Sequence, residues 1–341
     1  MSRFEQRPHC YVIAEAGSNH DGRYAQAEAL IDTAAEAGAD AVKFQMFQAS
    51  KLYTRAAGRS EYLGREESIY DIIAAMEMPP QWLPGLAKRA EEADLDFLVS
   101  AFDEASLALV DPYVPVHKCA SYEMTHLPLV RAMAATGKPL IMSTGTANLP
   151  EVEQSLLAAQ EAGCPQVVLL QCTAAYPAPL ADVNVRAMTE LRSLGVEVGL
   201  SDHSRDPVVA PCAAVALGAR VIEKHFTLSN RLSGPDHAFA LEPHELRRMV
   251  ERIRATETAL GHGHKEVLGV EEELRSFARR SIFTTRAIAM GEPLGPENIA
   301  VLRCGIQKPG LSPSAWDSVQ GKTALRDLPG GRGLRRSDVA A

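Results

Sequence analysis

Apolar residues along this chain fall into short runs separated by amphipathic stretches. CYVIAEA (10–16), AVKFQ (41–45), DFLVSAF (96–102), PVHKCAS (115–121), PLIMSTG (139–145), QVVLLQC (166–172), VEVGLSD (196–202) and RVIEKHF (220–226) each read as a strand. Their apolar runs are continuous rather than alternating, as in parallel strands covered on both faces. Between them lie alanine- and leucine-rich segments such as LIDTAAEAG and SLLAAQEAG, which have helical periodicity and a terminal glycine. Eight β–α units in succession predict an α/β fold, a closed (β/α)8 TIM barrel. A doubly wound open sheet is the competing layout, but no glycine-rich dinucleotide fingerprint follows the first strand.

The pattern changes in two places. An insertion over 46–95 separates the second and third strands; it holds the polar TRAAGRSEYLGREE and then a helical stretch broken by prolines. At the rim of a barrel such an insertion is either a lid or substrate wall, or surface decoration. After the eighth strand, HELRRMVERIRATETALG reads as the last barrel helix. The expected organisation is a catalytic barrel over 1–262, a linker over 263–280 and a small β-rich domain over 281–341, where glycine and proline punctuate short strands. The PGGRG segment in that domain lacks the lysine-serine ending of a phosphate loop and reads as a turn.

Composition narrows the function classes. The chain has 341 residues, 46% hydrophobic and 23% charged, as in a globular protein. A net charge of −8 argues against nonspecific nucleic-acid binding and leaves room for a local basic pocket. The first residues, MSRFEQRPHC, have no apolar h-region and no run approaches 18 apolar residues, so a cytoplasmic protein with no membrane association is expected. The six cysteines form no C-x-x-C pair, which suits reduced core thiols. Cys172 is the candidate among them for a nucleophile.

Polar residues interrupt the strands at or near their carboxyl ends. In order they are Glu15, Lys43 with Gln45, Ser100, Lys118 with Ser121, Ser143 with Thr144, Gln171, Ser201 with Asp202, and Glu223 with His225. Barrel enzymes build their sites at that mouth. A lysine buried in a strand requires an anion. A small ligand carrying carboxylate and phosphate would satisfy both Lys43 and Lys118, with Ser121, Ser143 and Ser201 donating to the phosphate. The alternative is a pyruvate-dependent aldolase with Lys43 or Lys118 as Schiff-base nucleophile, and spacing leaves both open. His203 and His225 end neighbouring strands, where they are a transition-metal pair, a metal-free catalytic pair or core histidines. Glu15, Glu123, Asp236 and Asp202 supply carboxylates for proton transfer, water orientation or ion pairing.

The strings IAEAGSNHDG, DAVKFQ, KCASYE, IMSTG, LLQCTAAYP, GLSDHS, EKHFT and GPDHAFALEP together resemble the sialic acid synthase family, including the legionaminic and pseudaminic acid synthases. The C-terminal segment is similar to their antifreeze-like (SAF) domain. The resemblance implies condensation of phosphoenolpyruvate with an open-chain N-acyl amino hexose to give a nine-carbon 2-keto acid and phosphate. It implies that His203 and His225 hold a divalent metal, Mn2+ foremost, with Mg2+ or Co2+ as alternatives. Lys43, Ser100, Lys118, Ser121, Ser143 and Ser201 match the phosphoenolpyruvate contacts, and Glu15, Glu123, Tyr176 and Asp236 match groups around the sugar and metal. Arg303 matches an arginine that crosses into a partner's barrel, which implies a domain-swapped homodimer. Departures concern the sugar. Ala174 replaces an asparagine common in acetylmannosamine-using members, KCASYE is closer to the pseudaminic and legionaminic pattern, GPDH is the sialic and legionaminic pattern, and RCG replaces RPG after Arg303. A third class, a non-catalytic sugar-binding protein, is suggested by the antifreeze-like segment and opposed by the charged rim.

Overall fold

The computed structural model describes residues 8–59 and 66–341; the first residues of the chain and part of the polar TRAAGRSEYLGREE segment lie outside the described residues. The chain divides into two compact units, Met1–Gly261 and His262–Ala341.

In the first unit eight parallel strands close on themselves in sequence order. They are β1 (Tyr11–Gly17), β2 (Ala41–Met46), β3 (Asp96–Ala101), β4 (His117–Cys119), β5 (Leu140–Ser143), β6 (Val167–Cys172), β7 (Glu197–Asp202) and β8 (Val221–His225). The predicted barrel is therefore the observed one. Its strands sort side chains by parity. One series, including Ile13, Ala41, Leu98, Ile141, Leu170 and Val221, forms a small buried cluster of its own inside the barrel. The other, including Val12, Phe44, Val99, Leu169, Leu200 and Ile222, joins the apolar faces of the helices in the main core. Each large side chain so buried contributes roughly 1.5–3 kcal/mol. Further along the inward series the residues turn polar: Glu15 follows Ile13, Lys43 follows Ala41, Ser100 follows Leu98, and Glu223 follows Val221. Apolar floor and polar mouth are thus written in a single period-two stripe.

The loops at that mouth are held by their own caps. Asp103, just past β3, accepts from the amides of Ala105 and Ser106 and starts the helix Glu104–Val110. Asn148, past β5, forms a reciprocal capping box with Glu151 at the head of the helix Leu149–Glu161. The insertion after β2 folds into short helices, chiefly Ile69–Ala75 and Leu83–Glu92, with the break at Pro79 and Pro80 where it was expected. The last barrel helix is Pro243–Leu260.

The second unit carries β9 (Arg280–Thr284) antiparallel to β10 (Ile299–Arg303), over a core that includes Ile282, Leu294, Ile299, Leu328 and Leu334. PGGRG is a turn there, with Gly331 at φ 78° and the Pro329 carbonyl accepting from Thr284 Oγ1 at 2.7 Å. One expectation is corrected: the stretch read as linker contains the helix Glu272–Ala278. Glu272 and Glu273 in its first turn and Arg275 in its last suit the helix dipole. Among the described residues no helix is long and apolar enough to cross a membrane.

Candidate active site

Four buried charged side chains meet at the centre of the mouth. Lys43 Nζ lies 2.8 Å from Glu15 Oε2, 3.7 Å from Glu223 Oε2 and 3.0 Å from Ser100 Oγ. Lys118 Nζ donates to Ser143 Oγ at 2.8 Å and to the Cys119 carbonyl at 2.9 Å, with Glu223 Oε1 at 3.9 Å. Ser201 Oγ donates to that same Glu223 oxygen at 3.2 Å. Both lysines are almost wholly buried, at 3% and 2% exposure. The expectation that they await an external anion is corrected in part, because carboxylates on β1 and β8 already face them. Register explains the meeting: Glu15 pairs with Lys43 across β1–β2, and Ser201 with Glu223 across β7–β8.

These neighbours set the protonation states. Burial pushes the Glu15 carboxyl up to about 7 against the pull of Lys43, and the charge of Glu223 pushes the same way. Burial also opposes ionisation of Glu223, yet Lys118 and Lys43 outweigh it and hold this carboxyl below its ordinary value. Lys43 stays above its ordinary value because Glu15 and Glu223 overcome its desolvation, whereas burial leaves Lys118 below its own. The two lysines are thus unequal: Lys43 is firmly cationic and Lys118 is the softer of the pair.

Beside this cluster stand the two histidines, with ring centroids 5.3 Å apart. His203 Nδ1 lies 3.0 Å from the Thr173 carbonyl, a contact that assigns the proton to Nδ1 and leaves the Nε2 lone pair free. His225 Nδ1 is buried without a hydrogen-bond partner, 3.9 Å from Asp236 Oδ2. Burial, followed by the charges of His203 and Lys43, holds His225 well below its ordinary value and so neutral. Tyr176 packs 4.4 Å from His203 and 5.2 Å from Phe239, closing an aromatic wall. Burial lifts Asp236 to about 6. Burial opposes protonation of His203, but the Cys172 contact and the Thr173 carbonyl hold it above its ordinary value. Once His203 gives up its Nε2 proton, it and the neutral His225 fit a divalent transition ion whose other positions are open. Among the described residues no group of three or more His, Cys, Asp and Glu side chains is placed to hold a metal ion. Any ion at the pair would therefore keep positions for water or substrate.

The remaining candidates fall into distinct places. Ser121 lies past the end of β4; its Oγ accepts from the Gly145 amide at 3.1 Å and donates to Cys172 Sγ at 3.4 Å. Cys172 is 3.6 Å from His203 Nδ1; burial pushes the thiol up, but the histidine contact brings it below its ordinary value. Glu123 sits on the turn Ser121–Glu123, with Oε2 buried and unpartnered and the carboxyl pushed up by burial to about 7. Asp202 takes the ion-pairing role among those expected: it belongs to the outward series and pairs with Lys224, also accepting from the Ser204 amide at 2.8 Å. It braces the turn that carries His203. Arg303 is exposed on β10 of the second unit.

Glu223 is the central residue that sequence reasoning placed among the polar strand ends but gave no role in the site. It stands two residues before His225, on the same inward series, so parity alone could have found it. Gln45, which donates to Glu15 Oε1 at 2.8 Å, carries the same signal.

A closed barrel with cations, carboxylates and imidazoles gathered at the carboxyl ends of its strands defines a barrel enzyme for a small-molecule substrate. Known proteins narrow the class. The NeuB family profile matches residues 30–265, and the SAF domain profile matches residues 279–340. The chain is 42% identical over 347 residues to the spore coat polysaccharide biosynthesis protein SpsE of Bacillus subtilis, spanning 96% of this chain and 93% of that one. It is 36% identical over 342 residues to the N,N'-diacetyllegionaminic acid synthase of Legionella pneumophila, spanning 97% and 95%. The crystal structure of the N-acetylneuraminic acid (sialic acid) synthetase of Leptospira borgpetersenii, in complex with citrate, superposes with a TM-score of 0.71 at 31% identity, over 78% of this chain and 90% of that one. The chain belongs to the NeuB family of sialic-acid-type synthases and carries a SAF domain.

Proposed function

We propose that this protein is a nonulosonic acid synthase that condenses phosphoenolpyruvate with an open-chain N-acyl amino hexose. The observation that carries the reading is the pair of buried lysines, each with a serine oxygen within 3.0 Å, beside two histidines that share the mouth. Because each lysine donates to its serine, the hydroxyl hydrogens of Ser100 and Ser143 are free to donate to a bound anion. Lys43 and Lys118 would take the phosphate and carboxylate, aided by Ser121 and Ser201. Glu223 and Glu15 neutralise the lysines until the anion arrives, so the mouth never holds bare cations.

The chemistry balances as follows. The enol carbon of phosphoenolpyruvate forms a new C–C bond to the aldehyde carbon, and the aldehyde oxygen takes up a proton from water. Water adds to the cationic carbon that results and loses a proton to Glu123. The C–O bond to phosphate then breaks as the hemiketal hydroxyl passes its proton to the departing phosphate, leaving the 2-keto acid and inorganic phosphate. His203 and His225 would hold a divalent ion, Mn2+ foremost, and such an ion supplies Lewis-acid polarisation of a carbonyl oxygen. Asp236 and Tyr176 line the sugar side. Arg303 would complete the site from the partner of a domain-swapped homodimer, at the sugar's N-acyl group.

The test is phosphate release from phosphoenolpyruvate across a panel of N-acetylmannosamine, the two diacetamido trideoxyhexoses and neutral hexoses. One of the N-acyl sugars should support release, and chelation, His203→Ala or His225→Ala should abolish it. Full turnover in chelator would refute the metal. Borohydride labelling of Lys118 in the presence of pyruvate would instead support the Schiff-base aldolase, which the softened Lys118 alone favours.

A further inference from the structure

Of two motif strings, the NHDG loop after β1 and the GPDH loop after β8, the proposed chemistry uses only Asp236. The structure ties them together. His237 Nε2 lies 3.0 and 3.1 Å from the two carboxylate oxygens of Asp21. On its other side His237 Nδ1 is 2.6 Å from Thr227 Oγ1. The Ser229 amide donates to Thr227 Oγ1, the Thr227 hydroxyl has both His237 Nδ1 and the Ser229 carbonyl (3.2 Å) within reach, and Nε2–H donates to Asp21. Asp21 is itself held by Gln26 Nε2 at 2.9 Å, and Asn230 Nδ2 ties the His237 and Ala240 carbonyls at 2.6 and 2.8 Å.

A hydroxyl, an imidazole and a carboxylate in line have the connectivity of a nucleophilic triad. Burial excludes that use, since Thr227 and His237 are both 0% exposed and no substrate reaches the hydroxyl. Their effect is exerted through the chain. Asp236 directly precedes His237, and its Oδ2 points to the mouth, 3.9 Å from His225 Nδ1. Glycine marks the tightness of the joint: a Cβ on Gly234 would stand 2.6 Å from Asp21 Oδ1 and 3.0 Å from His237 Nε2.

We propose that Asp21, His237 and Thr227 form a latch between the β1 and β8 loops, and that His237 is a positioning residue that presents Asp236 to the sugar side of the site. The kinetic consequence rests on the synthase reading; the latch itself does not. Its test uses the full-length protein with His237→Asn, Asp236→Asn and the double variant, together with His237→Gln, whose side-chain amide can still donate to Asp21. If His237 acts through Asp236, His237→Asn lowers kcat for phosphate release by ~10- to 100-fold. The double variant is then no slower than Asp236→Asn alone, and His237→Gln recovers part of the loss. Additive losses, or an unchanged kcat, overturn the positioning role. Amide hydrogen exchange reads the latch without activity: His237→Asn should raise exchange over 18–23 and 228–241 while the barrel helices keep theirs. Unchanged exchange in both loops overturns the latch. If the wild-type chain releases no phosphate with any sugar, the synthase reading falls, and the exchange result alone decides for or against the latch.

Discussion

Glu15 and Glu123 are both held near 7 by burial, yet they keep different company. Glu15 is in ion-pair contact with Lys43 and accepts from Gln45, whereas one oxygen of Glu123 has no partner. A carboxyl that must accept a proton from water needs an unspent oxygen, which is why Glu123 is the base of the proposed reaction. Below about 7 it is protonated and cannot act, so kcat should rise with pH through about 7. Glu123→Gln should lower kcat by ~100- to 10,000-fold and remove that rise, while Glu15→Gln retains it. A pH–rate profile in which the rise survives Glu123→Gln assigns the base elsewhere. Stability runs in the opposite sense. The folded state binds this proton more tightly than an ordinary carboxyl at 4.5 would, so the contribution is complete below about 4.5 and is lost as pH rises past about 7. The melting temperature of Glu123→Gln relative to wild type should therefore be higher at pH 8 than at pH 5. At this scale most of the site was legible, because strand parity and polarity together mark the mouth. What could not be read were partners, since only the barrel's closure shows that the lysines of β2 and β4 share one carboxylate from β8.

At the scale of elements, the strands were legible because parallel strands covered on both faces are apolar throughout. Their ends were less so. PVHKCAS reads as a long strand, but β4 keeps only His117–Cys119, because Ser121 already belongs to the turn that carries Glu123. The linker helix escaped for a related reason: it is short and charged, with no buried residue to give it a period. One element carries a tight geometric demand. Gly199 on β7 is paired with Leu170 and Val221, and a Cβ there would stand 2.1 Å from the Val221 carbonyl oxygen and 2.7 Å from Leu170 Cδ2. The clash falls mainly on backbone, which cannot rotate away. Gly199→Ala should cost about 1–3 kcal/mol or more, and lower the melting temperature by several degrees. Calorimetry that finds the variant as stable as wild type would mean the barrel interior yields more readily than its packing implies.

The whole molecule carries a net charge of −8 and yet buries two lysines at one mouth, so attraction for an anion is local and owes little to the overall field. Each unit has its own core, and each matches its own family profile. Arg303 is exposed at the end of β10 in the second unit, and in the proposed homodimer it serves the partner's barrel. That arrangement makes a prediction that no single-chain site can reproduce. His203→Ala removes a group from its own barrel, whereas Arg303→Ala removes one from the partner's. Each variant alone should be nearly inactive toward phosphate release. When the two are unfolded together and refolded, random pairing puts half the chains in mixed dimers, and each mixed dimer has one barrel with both groups intact. About a quarter of wild-type activity should then return. Activity that stays absent after confirmed mixing, by native mass spectrometry of the pairs, would place Arg303 in its own chain's site or outside the reaction altogether.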